Sequence, residues 1–253
     1  MDNKLEKLVE ILKKLRGENG CPWDREQTLK TLKPHLIEET YEVLEVMEEG
    51  GDKLKDELGD LLLQIAFQSQ IKSEENEFDM GDVIDSITEK MIRRHPHVFG
   101  DRNAKNSEEV SKIWEEVKKT EKTSEERKSI LDGIPKNIPA ILRAAKQQKK
   151  ASKVGFDWND LDGALNKMEE ELEEFREARI KKNKEEMSEE LGDVMFSLIN
   201  VARLAKIDPY DSLLKTINKF DFRFRYIEKN TDIKKATLEE MEKLWEEAKN
   251  ESR

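Results

Sequence analysis

Acidic residues recur in this sequence at helical spacing, in pairs that are three residues apart. Glu39 and Glu42 form one pair, and Glu57 and Asp60 form another shortly afterwards. Since residues three apart lie on one face of an α-helix, each pair presents two carboxylates in the same direction. If two such helices face each other, four carboxylates converge. A set of hard oxygen ligands of this kind suits Mg²⁺ or Mn²⁺, and does not suit zinc or copper.

The same arrangement occurs again in the C-terminal half of the chain. Glu171 and Glu174 repeat the first pair, and Glu190 and Asp193 repeat the second. A single Glu-rich run in so acidic a chain is most simply explained as a solvated helix face. The sequence Glu-Leu-Gly-Asp is identical in the two copies, however, and two carboxylates about 4 Å apart repel by about 4 kcal/mol at an effective dielectric constant near 20. A metal ion removes that repulsion, so the doubled pattern predicts two metal sites.

A glycine lies inside the second acidic motif of each copy, at Gly59 and Gly192. Glycine in the interior of a helix costs about 1 kcal/mol relative to alanine. Its presence at the same place twice therefore indicates close approach by another helix or by a ligand.

Basic residues at helical spacing follow the acidic motifs in both halves. Lys90 and Arg94 are four residues apart, as are Lys219 and Arg223, so each pair projects from one face of a helix. An arginine grips phosphate oxygens through two parallel hydrogen bonds, whereas a lysine acts as a point charge. A solvated cationic face explains either pair alone, but their fixed order after the acidic motifs favours phosphate binding.

Two tryptophans occupy near-identical sequences beyond the basic pairs. Trp114 lies in Lys-Ile-Trp-Glu-Glu and Trp245 lies in Lys-Leu-Trp-Glu-Glu. The amphipathic pattern favours a place in the core or at a dimer interface over stacking on a base. Of the two, Trp245 is kept as a candidate for contact with a substrate.

The apolar residues around these motifs recur with the period of α-helices. Leu58, Leu61 and Ile65 belong to one stripe, and residues 187–201 carry a similar one. The short polar connection at 181–184 favours antiparallel neighbours. No segment indicates a strand, so we predict an all-α fold of helical bundles.

The two halves match in order over nearly the whole chain, which indicates a tandem duplication. We predict a first domain at residues 1–121 and a second at 151–253. Residues 122–150 contain Gly133, Pro135 and Pro139, and we interpret them as a linker followed by the entry helix of the second domain.

Composition and charge exclude several classes of protein. Charged residues make up 41% of the 253 residues and aromatic residues 6%, which suits amphipathic helices and not a β-sandwich or barrel. With 57 acidic and 46 basic residues the net charge is −11, so no stable binding to nucleic acid is expected. One cysteine allows no intramolecular disulfide, and no apolar run is long enough for a membrane span. We expect a cytoplasmic protein.

Taken together, these motifs resemble the two-domain MazG nucleoside triphosphate pyrophosphohydrolases, which belong to the all-α NTP pyrophosphatase superfamily. The resemblance covers almost the whole chain, and no acidic position departs from it. The segments that carry it are residues 20–24 (Gly-Cys-Pro-Trp-Asp), 38–42, 57–60, 94–100 (Arg-His-Pro-His-Val-Phe-Gly), 131–135 (Leu-Asp-Gly-Ile-Pro), 154–158 (Val-Gly-Phe-Asp-Trp), 170–174 and 190–193.

The resemblance implies Mg²⁺-dependent hydrolysis of nucleoside triphosphates to the monophosphate and pyrophosphate, with broad base tolerance, by a homodimer that cleans the nucleotide pool. It also implies that Lys219 and Arg223 contact the triphosphate, and that catalysis depends more on the second copy than on the first. The residues that it implies as metal ligands are Glu39, Glu42, Glu57, Asp60, Glu171, Glu174, Glu190 and Asp193.

No serine, cysteine or histidine constellation offers a covalent nucleophile, so water is the expected attacker. Glu38 and Glu170, the first residues of their motifs, are our candidates to orient or deprotonate it. Three alternatives stay open. The chain could be a non-catalytic helical regulator that binds nucleotides or a partner, one copy could catalyse while the other senses, or the substrate could be narrower, such as dUTP, dCTP or an alarmone-like nucleotide.

Overall fold

The computed structural model describes residues 4–119 and 128–251. Within these ranges every regular element is a helix, and no strand occurs. The chain divides into two compact units, residues 1–125 and 126–253. The all-α prediction is therefore confirmed. The predicted boundary after residue 121, and residues 122–127 of the predicted linker, lie outside the described residues.

The first unit contains seven helices among its described residues, and the third and fourth of them carry the acidic motifs. Gly50 and Gly51 both have a φ of +67°, a left-handed conformation that glycine adopts freely, and they join these two helices by a sharp turn. The helices are α1 (Lys4–Arg16), α2 (Pro22–Glu26), α3 (Leu32–Val46), α4 (Gly51–Glu74), α5 (Met80–Arg94), α6 (Pro96–Phe99) and α7 (Ser107–Lys119).

The second unit repeats the pair of long helices. Its first helix, α8 (Ala140–Ser152), packs against the third and fourth helices of the unit, so the predicted entry helix belongs to this bundle. The other helices are α9 (Leu161–Lys181), α10 (Lys184–Leu204), α11 (Pro209–Asn230) and α12 (Leu238–Glu251).

Two residues connect α9 to α10, and they force the helices to fold back on each other. Lys182 has a φ of +56° and ends α9 in the left-handed conformation. Asn183 then caps α10, because its side-chain oxygen accepts hydrogen bonds from the backbone N–H groups of Glu185 and Glu186. This turn sets the register in which the carboxylates of α9 face those of α10.

The core of the first unit lies between α1, α3 and α4. Its buried residues are Leu12, Leu32, Ala66, Phe67 and Ile71. In the second unit many of the buried apolar positions are alanines, which let helices approach closely. Among the described residues, no helix combines the length and the apolar character that crossing a membrane would require.

A half-buried ion pair ties α1 to the end of α4. The Arg16 side chain is only 8% exposed, and its Nη2 lies 2.7 Å from Glu74 Oε2. Its Nη1 donates to the backbone carbonyls of Asp24 and Gln27, and the guanidinium lies 5.4 Å from the centre of the Phe67 ring. The hydrogen bonds from Arg16 hold the pKa of the Glu74 carboxyl below its ordinary value. Glu74 therefore stabilises the fold above the ordinary carboxyl pKa, and that stability is lost as the pH falls through the lowered one.

We predict that Glu74→Gln lowers the free energy of unfolding at pH 7 by about 1–3 kcal/mol, because it leaves a buried guanidinium without its counter-ion. Urea unfolding followed by circular dichroism measures this loss. The matched control is Glu49→Gln, whose exposed partner Lys53 lies 2.7 Å away and which should cost less than about 1 kcal/mol. Equal losses in the two variants, or a Glu74→Gln penalty that does not shrink as the pH falls below 4, would contradict the assignment.

Candidate metal centres

In the first unit the turn between α3 and α4 brings three predicted ligands together. Glu39, Glu57 and Asp60 each offer a carboxylate oxygen, and these three oxygens lie within 4.8 Å of one another. Glu42, the fourth predicted ligand, is not in this group of three, but its carboxyl hydrogen-bonds to that of Glu39. Gln64 on α4 also donates to Glu39 Oε1 across 3.5 Å. The structure thus gathers all four predicted carboxylates of this copy in one place.

The second unit has the corresponding cluster between α9 and α10. Carboxylate oxygens of Glu171, Glu174 and Glu190 lie within 4.8 Å of one another. Asp193 is outside this group of three but interacts electrostatically with Glu190. Glu171 is buried, with 8% of its surface exposed, and the other carboxylates face the solvent to a greater degree.

The pKa values of carboxyl groups in both clusters are shifted in the same direction. Burial raises the pKa of Glu39, Glu57 and Glu190, and the neighbouring carboxylates raise it further. For Glu174 the hydrogen bond with Glu171 is the largest cause of a raised pKa. A raised carboxyl pKa means that the fold opposes ionisation, so these groups weaken the metal-free fold as the pH rises above the ordinary carboxyl range.

This chemistry fits a hard divalent cation. Every donor in the two groups of three is a carboxylate oxygen, which is the ligand type that Mg²⁺ and Mn²⁺ prefer. A cation placed among these groups would offset the mutual repulsion that contributes to their raised pKa values. In the first unit Glu39, Glu57 and Asp60 would hold it, and in the second Glu171, Glu174 and Glu190.

The two clusters differ in one residue that the sequence analysis missed. In the second unit Lys167 Nζ lies 2.7 Å from Glu170 Oε1 and 2.9 Å from Glu171 Oε1, and these hydrogen bonds raise the pKa of Lys167. In the first unit the position four residues before Glu39 is His35, whose Nδ1 lies 3.7 Å from Glu38. Lys167 and Glu171 are four residues apart, which is the ordinary spacing of an ion pair on a helix, so this contact could have been predicted from the sequence.

The two candidate bases lie beside the clusters and are exposed. The Glu38 side chain is 65% exposed and is directed to His35, and the Glu170 side chain is 58% exposed and paired with Lys167. Neither belongs to a group of three converging carboxylates. Lys167 does link Glu170 to the second cluster, because its ammonium contacts Glu171 as well.

In the second unit the basic pair on α11 lies beside a tryptophan of α12. The Arg223 guanidinium is 5.3 Å from the centre of the Trp245 ring, and its Nε atom is buried without a hydrogen-bond partner. Lys219 is exposed one turn earlier. Trp245 is also in contact with Phe220 at a ring distance of 5.3 Å. An arginine with an unused donor can grip an anion.

In the first unit α5 and α7 repeat this arrangement with a different environment around the tryptophan. The Arg94 guanidinium is 4.9 Å from the centre of the Trp114 ring, and Lys118 Nζ is 4.7 Å from it. Lys90 is half-buried one turn before Arg94. Two cations therefore contact the Trp114 ring, whereas the Trp245 ring contacts the Arg223 guanidinium and the Phe220 ring.

Similar proteins are known over nearly the whole length of the chain. The family model described as the MazG nucleotide pyrophosphohydrolase domain matches it twice, at residues 27–99 and 161–227. An Escherichia coli K12 protein named nucleoside triphosphate pyrophosphohydrolase is 41% identical over 98% of this chain and 98% of its own length. A Thermotoga maritima protein named nucleoside triphosphate pyrophosphohydrolase/pyrophosphatase MazG is 43% identical over 96% of this chain and 95% of its own. Both acidic clusters and both basic pairs lie inside the matched segments.

The clusters predict opposite effects of one substitution with and without metal. We expect Glu174→Gln to raise the melting temperature in EDTA, because it removes a carboxylate that repels Glu171 and Glu190. The same variant should lose much of the stabilisation that Mg²⁺ gives. Thermal unfolding of the full chain in EDTA and in a Mg²⁺ series measures both effects.

The control is Glu177→Gln, which removes an exposed carboxylate three residues further along α9. It should leave the Mg²⁺-induced shift unchanged. If the two variants respond to Mg²⁺ alike, Glu174 is not a ligand.

Proposed function

The chain belongs to the MazG family of nucleotide pyrophosphohydrolases, and on that premise we propose that it hydrolyses nucleoside triphosphates to the monophosphate and pyrophosphate, with Mg²⁺ and with broad base tolerance. It is a hydrolase of the acid-anhydride class, and the resemblance seen in the motifs is confirmed by the family model and by the two relatives. Its proposed role is to remove unwanted nucleotides from the cellular nucleotide pool.

The observation that carries this proposal is the convergence of three carboxylates at the same place in both units. A triphosphate is strongly anionic and would be repelled by a chain of net charge −11. When bound, divalent cations would screen this charge and activate a water molecule for attack. Mn²⁺ is an alternative because it accepts the same oxygen ligands.

Arginine and lysine of the basic pairs are proposed to hold the triphosphate. In the second unit Arg223 has an unsatisfied Nε donor, and the exposed ammonium of Lys219 lies on the same helix. Donors fixed in this way would stabilise the charge that develops on the departing pyrophosphate. Lys90 and Arg94 are proposed for the same task in the first unit.

Trp245 is proposed to hold the nucleobase. With Phe220 and Phe224 it lines a cavity of about 560 Å³, which falls within the usual range of about 300–1,000 Å³ for ligand pockets. Stacking of a base on an aromatic ring contributes about 1–3 kcal/mol and tolerates every base, because each base has a π face. An aromatic pocket therefore supports broad base tolerance.

Glu38 and Glu170 stay our candidates for the group that accepts a proton from the attacking water. Glu170 already accepts a hydrogen bond from Lys167, so it could act only if this lysine turns toward the phosphates. A general base must come within hydrogen-bond reach of the proton that it takes. The basic side chain of Lys167 is thus placed between the candidate base and the buried ligand Glu171.

We propose that the protein forms a homodimer through the exposed apolar face of α10. Leu191, Met195 and Leu198 are 49%, 60% and 54% exposed and form one stripe. Gly192 lies beside this stripe at the wall of an apolar cavity of about 980 Å³, and among the described residues no other helix places an atom within 4 Å of where its Cβ would be. Its own unit therefore gives no reason for the glycine, and close approach by the same helix of a second copy does.

The dimer is tested with Met195→Lys, which places a charge in the centre of the stripe. Because Met195 is exposed, the substitution should leave the helix content intact and shift the protein toward monomers in sedimentation velocity. Met195→Leu keeps the apolar volume and should stay dimeric. A Met195→Lys protein that sediments as the unmodified chain does would exclude this face.

The reaction itself is tested with a panel of ribo- and deoxynucleoside triphosphates, in Mg²⁺ and in EDTA, with separation of the products. Monophosphate and pyrophosphate are expected, and both should disappear in EDTA. Diphosphate with phosphate would mean that another bond is cleaved, and binding without turnover would favour a regulator.

Glutamine variants locate the sites. Glu39→Gln/Glu42→Gln and Glu171→Gln/Glu174→Gln, made separately and together, report on each copy. We expect the combined variant to lose at least about a hundredfold in kcat, as when one preorganised electrostatic contact is removed. The control Glu45→Gln/Glu177→Gln alters the next exposed glutamate of each helix. Full turnover by the combined variant would refute the metal assignment.

A further inference from the structure

Two glutamates line the aromatic cavity in the second unit, and they differ in their partners. Glu242 lines this cavity together with Phe220, Phe224 and Trp245. It is exposed, and within the described part of the chain its carboxylate forms no hydrogen bond or ion pair. The other glutamate of the cavity, Glu246, accepts a hydrogen bond from Lys249. Glu242 is therefore the carboxylate of this pocket that is available to a ligand.

The helix that carries Glu242 is fixed at its start. Thr237 and Glu240 form reciprocal hydrogen bonds, from the Thr237 backbone N–H to Glu240 Oε2 at 2.8 Å and from the Glu240 backbone N–H to Thr237 Oγ1 at 3.2 Å. Such a capping box sets where the helix begins. Glu242 and Trp245 are three residues apart on it, so they face the cavity from the same side.

A glutamate carboxylate at neutral pH accepts hydrogen bonds and donates none. An aromatic wall alone does not distinguish the bases, since all of them stack. An acceptor at the edge of a stacked base does distinguish them, because hydrogen bonds to an ionised acceptor are about twice as strong as neutral ones. A base that presents an acceptor to the same carboxylate is repelled.

Guanine is the base that can donate a hydrogen bond to each of the two oxygens of a carboxylate. Its N1–H and N2–H₂ donors lie side by side and point in the same direction. Adenine and cytosine each present one amino group next to a ring-nitrogen acceptor. Thymine and uracil present one N3–H between two carbonyl acceptors. Hypoxanthine keeps the N1–H of guanine but lacks the 2-amino group.

The first unit does not repeat the residues of this cavity. The cavity residues are therefore distinct from the acidic and basic motifs, which both units share. Aligned on the tryptophans, the residue that corresponds to Glu242 is Ser111. Aligned on the basic pairs, Phe220 and Phe224 correspond to Met91 and His95. The acidic and basic motifs are common to both copies, but the aromatic cavity with its free carboxylate belongs to the second.

We propose that Glu242 is a specificity-determining residue that reads the Watson–Crick edge of the base stacked in this cavity, and that it makes guanine nucleotides the preferred substrates of the second unit. This inference rests on the proposed function and on the placement of the base at Trp245. Adenine and cytosine nucleotides follow, and thymine and uracil nucleotides are the poorest substrates. Every base is still accepted, because stacking supplies most of the affinity.

The experiment compares kcat/KM for pyrophosphate release from dGTP, dITP, dATP and dTTP, using the full chain and its Glu242→Gln variant. In the unmodified protein dGTP should exceed dITP by about tenfold, the effect of one added charge-assisted hydrogen bond of about 1.4 kcal/mol. In Glu242→Gln the ratio of dGTP to dITP should fall to near one, while dTTP improves because an acceptor has been replaced by a donor.

The matched control is Glu247→Gln, which removes an exposed carboxylate from another face of the same helix and should leave all the ratios unchanged. Equal turnover of dGTP and dITP by the unmodified protein would overturn the inference without any variant. So would an unaltered dGTP to dITP ratio in Glu242→Gln. Absence of pyrophosphate release from every nucleotide would instead refute the proposed function, so the two failures are distinguishable.

Discussion

The constraint on which the structure depends is the repulsion between carboxylates that two helical hairpins hold together. In each unit, three carboxylate oxygens from adjacent helices lie within 4.8 Å of one another, and the pKa values of several of these groups are raised. Packing and tight turns must therefore fix an arrangement that the charges alone oppose. A divalent cation reverses the sign of this contribution, so the same groups that weaken the metal-free fold would stabilise the loaded one.

The surroundings of each cluster follow from this constraint, and they differ between the copies. In the second unit Lys167 already supplies a positive charge to Glu170 and Glu171, so part of the repulsion is compensated within the chain. In the first unit His35 stands at the corresponding position, where its imidazole lies near Glu38 and against the Trp23 ring. A duplicated set of proposed ligands thus does not make the two sites equal, since a cation entering the second site would have to compete with the Lys167 ammonium for Glu171.

Much of the fold and of the clusters could be predicted from the sequence, because helical spacing is local information. Residues three and four apart share a face, so the pairs at Glu39, Glu57, Glu171 and Glu190 and the all-α class followed from periodicity and from the repeat. The cavity around Trp245 could not be predicted in this way. Its residues come from α11 and α12, and no local period shows that Glu242 faces Phe220 and Phe224 across a turn.

Gly59 and Gly192 each lower the stability of a helix without a visible packing reason inside the described ranges of their own unit. Gly59 and Gly192 each weaken their own helix, and in the described part of the chain no other helix places an atom within 4 Å of where either Cβ would be. Each also lies next to an exposed stripe, formed by Leu58, Leu62 and Ile65 in one unit and by Leu191, Met195 and Leu198 in the other. Since no packing among the described residues of either unit requires a glycine there, the proposed dimer supplies the reason, through a helix that approaches that face. The proposed metal ligands Glu57, Asp60, Glu190 and Asp193 lie on the same helices as this stripe. An approaching helix would therefore fix the position of these carboxylates as well as cover the apolar surface.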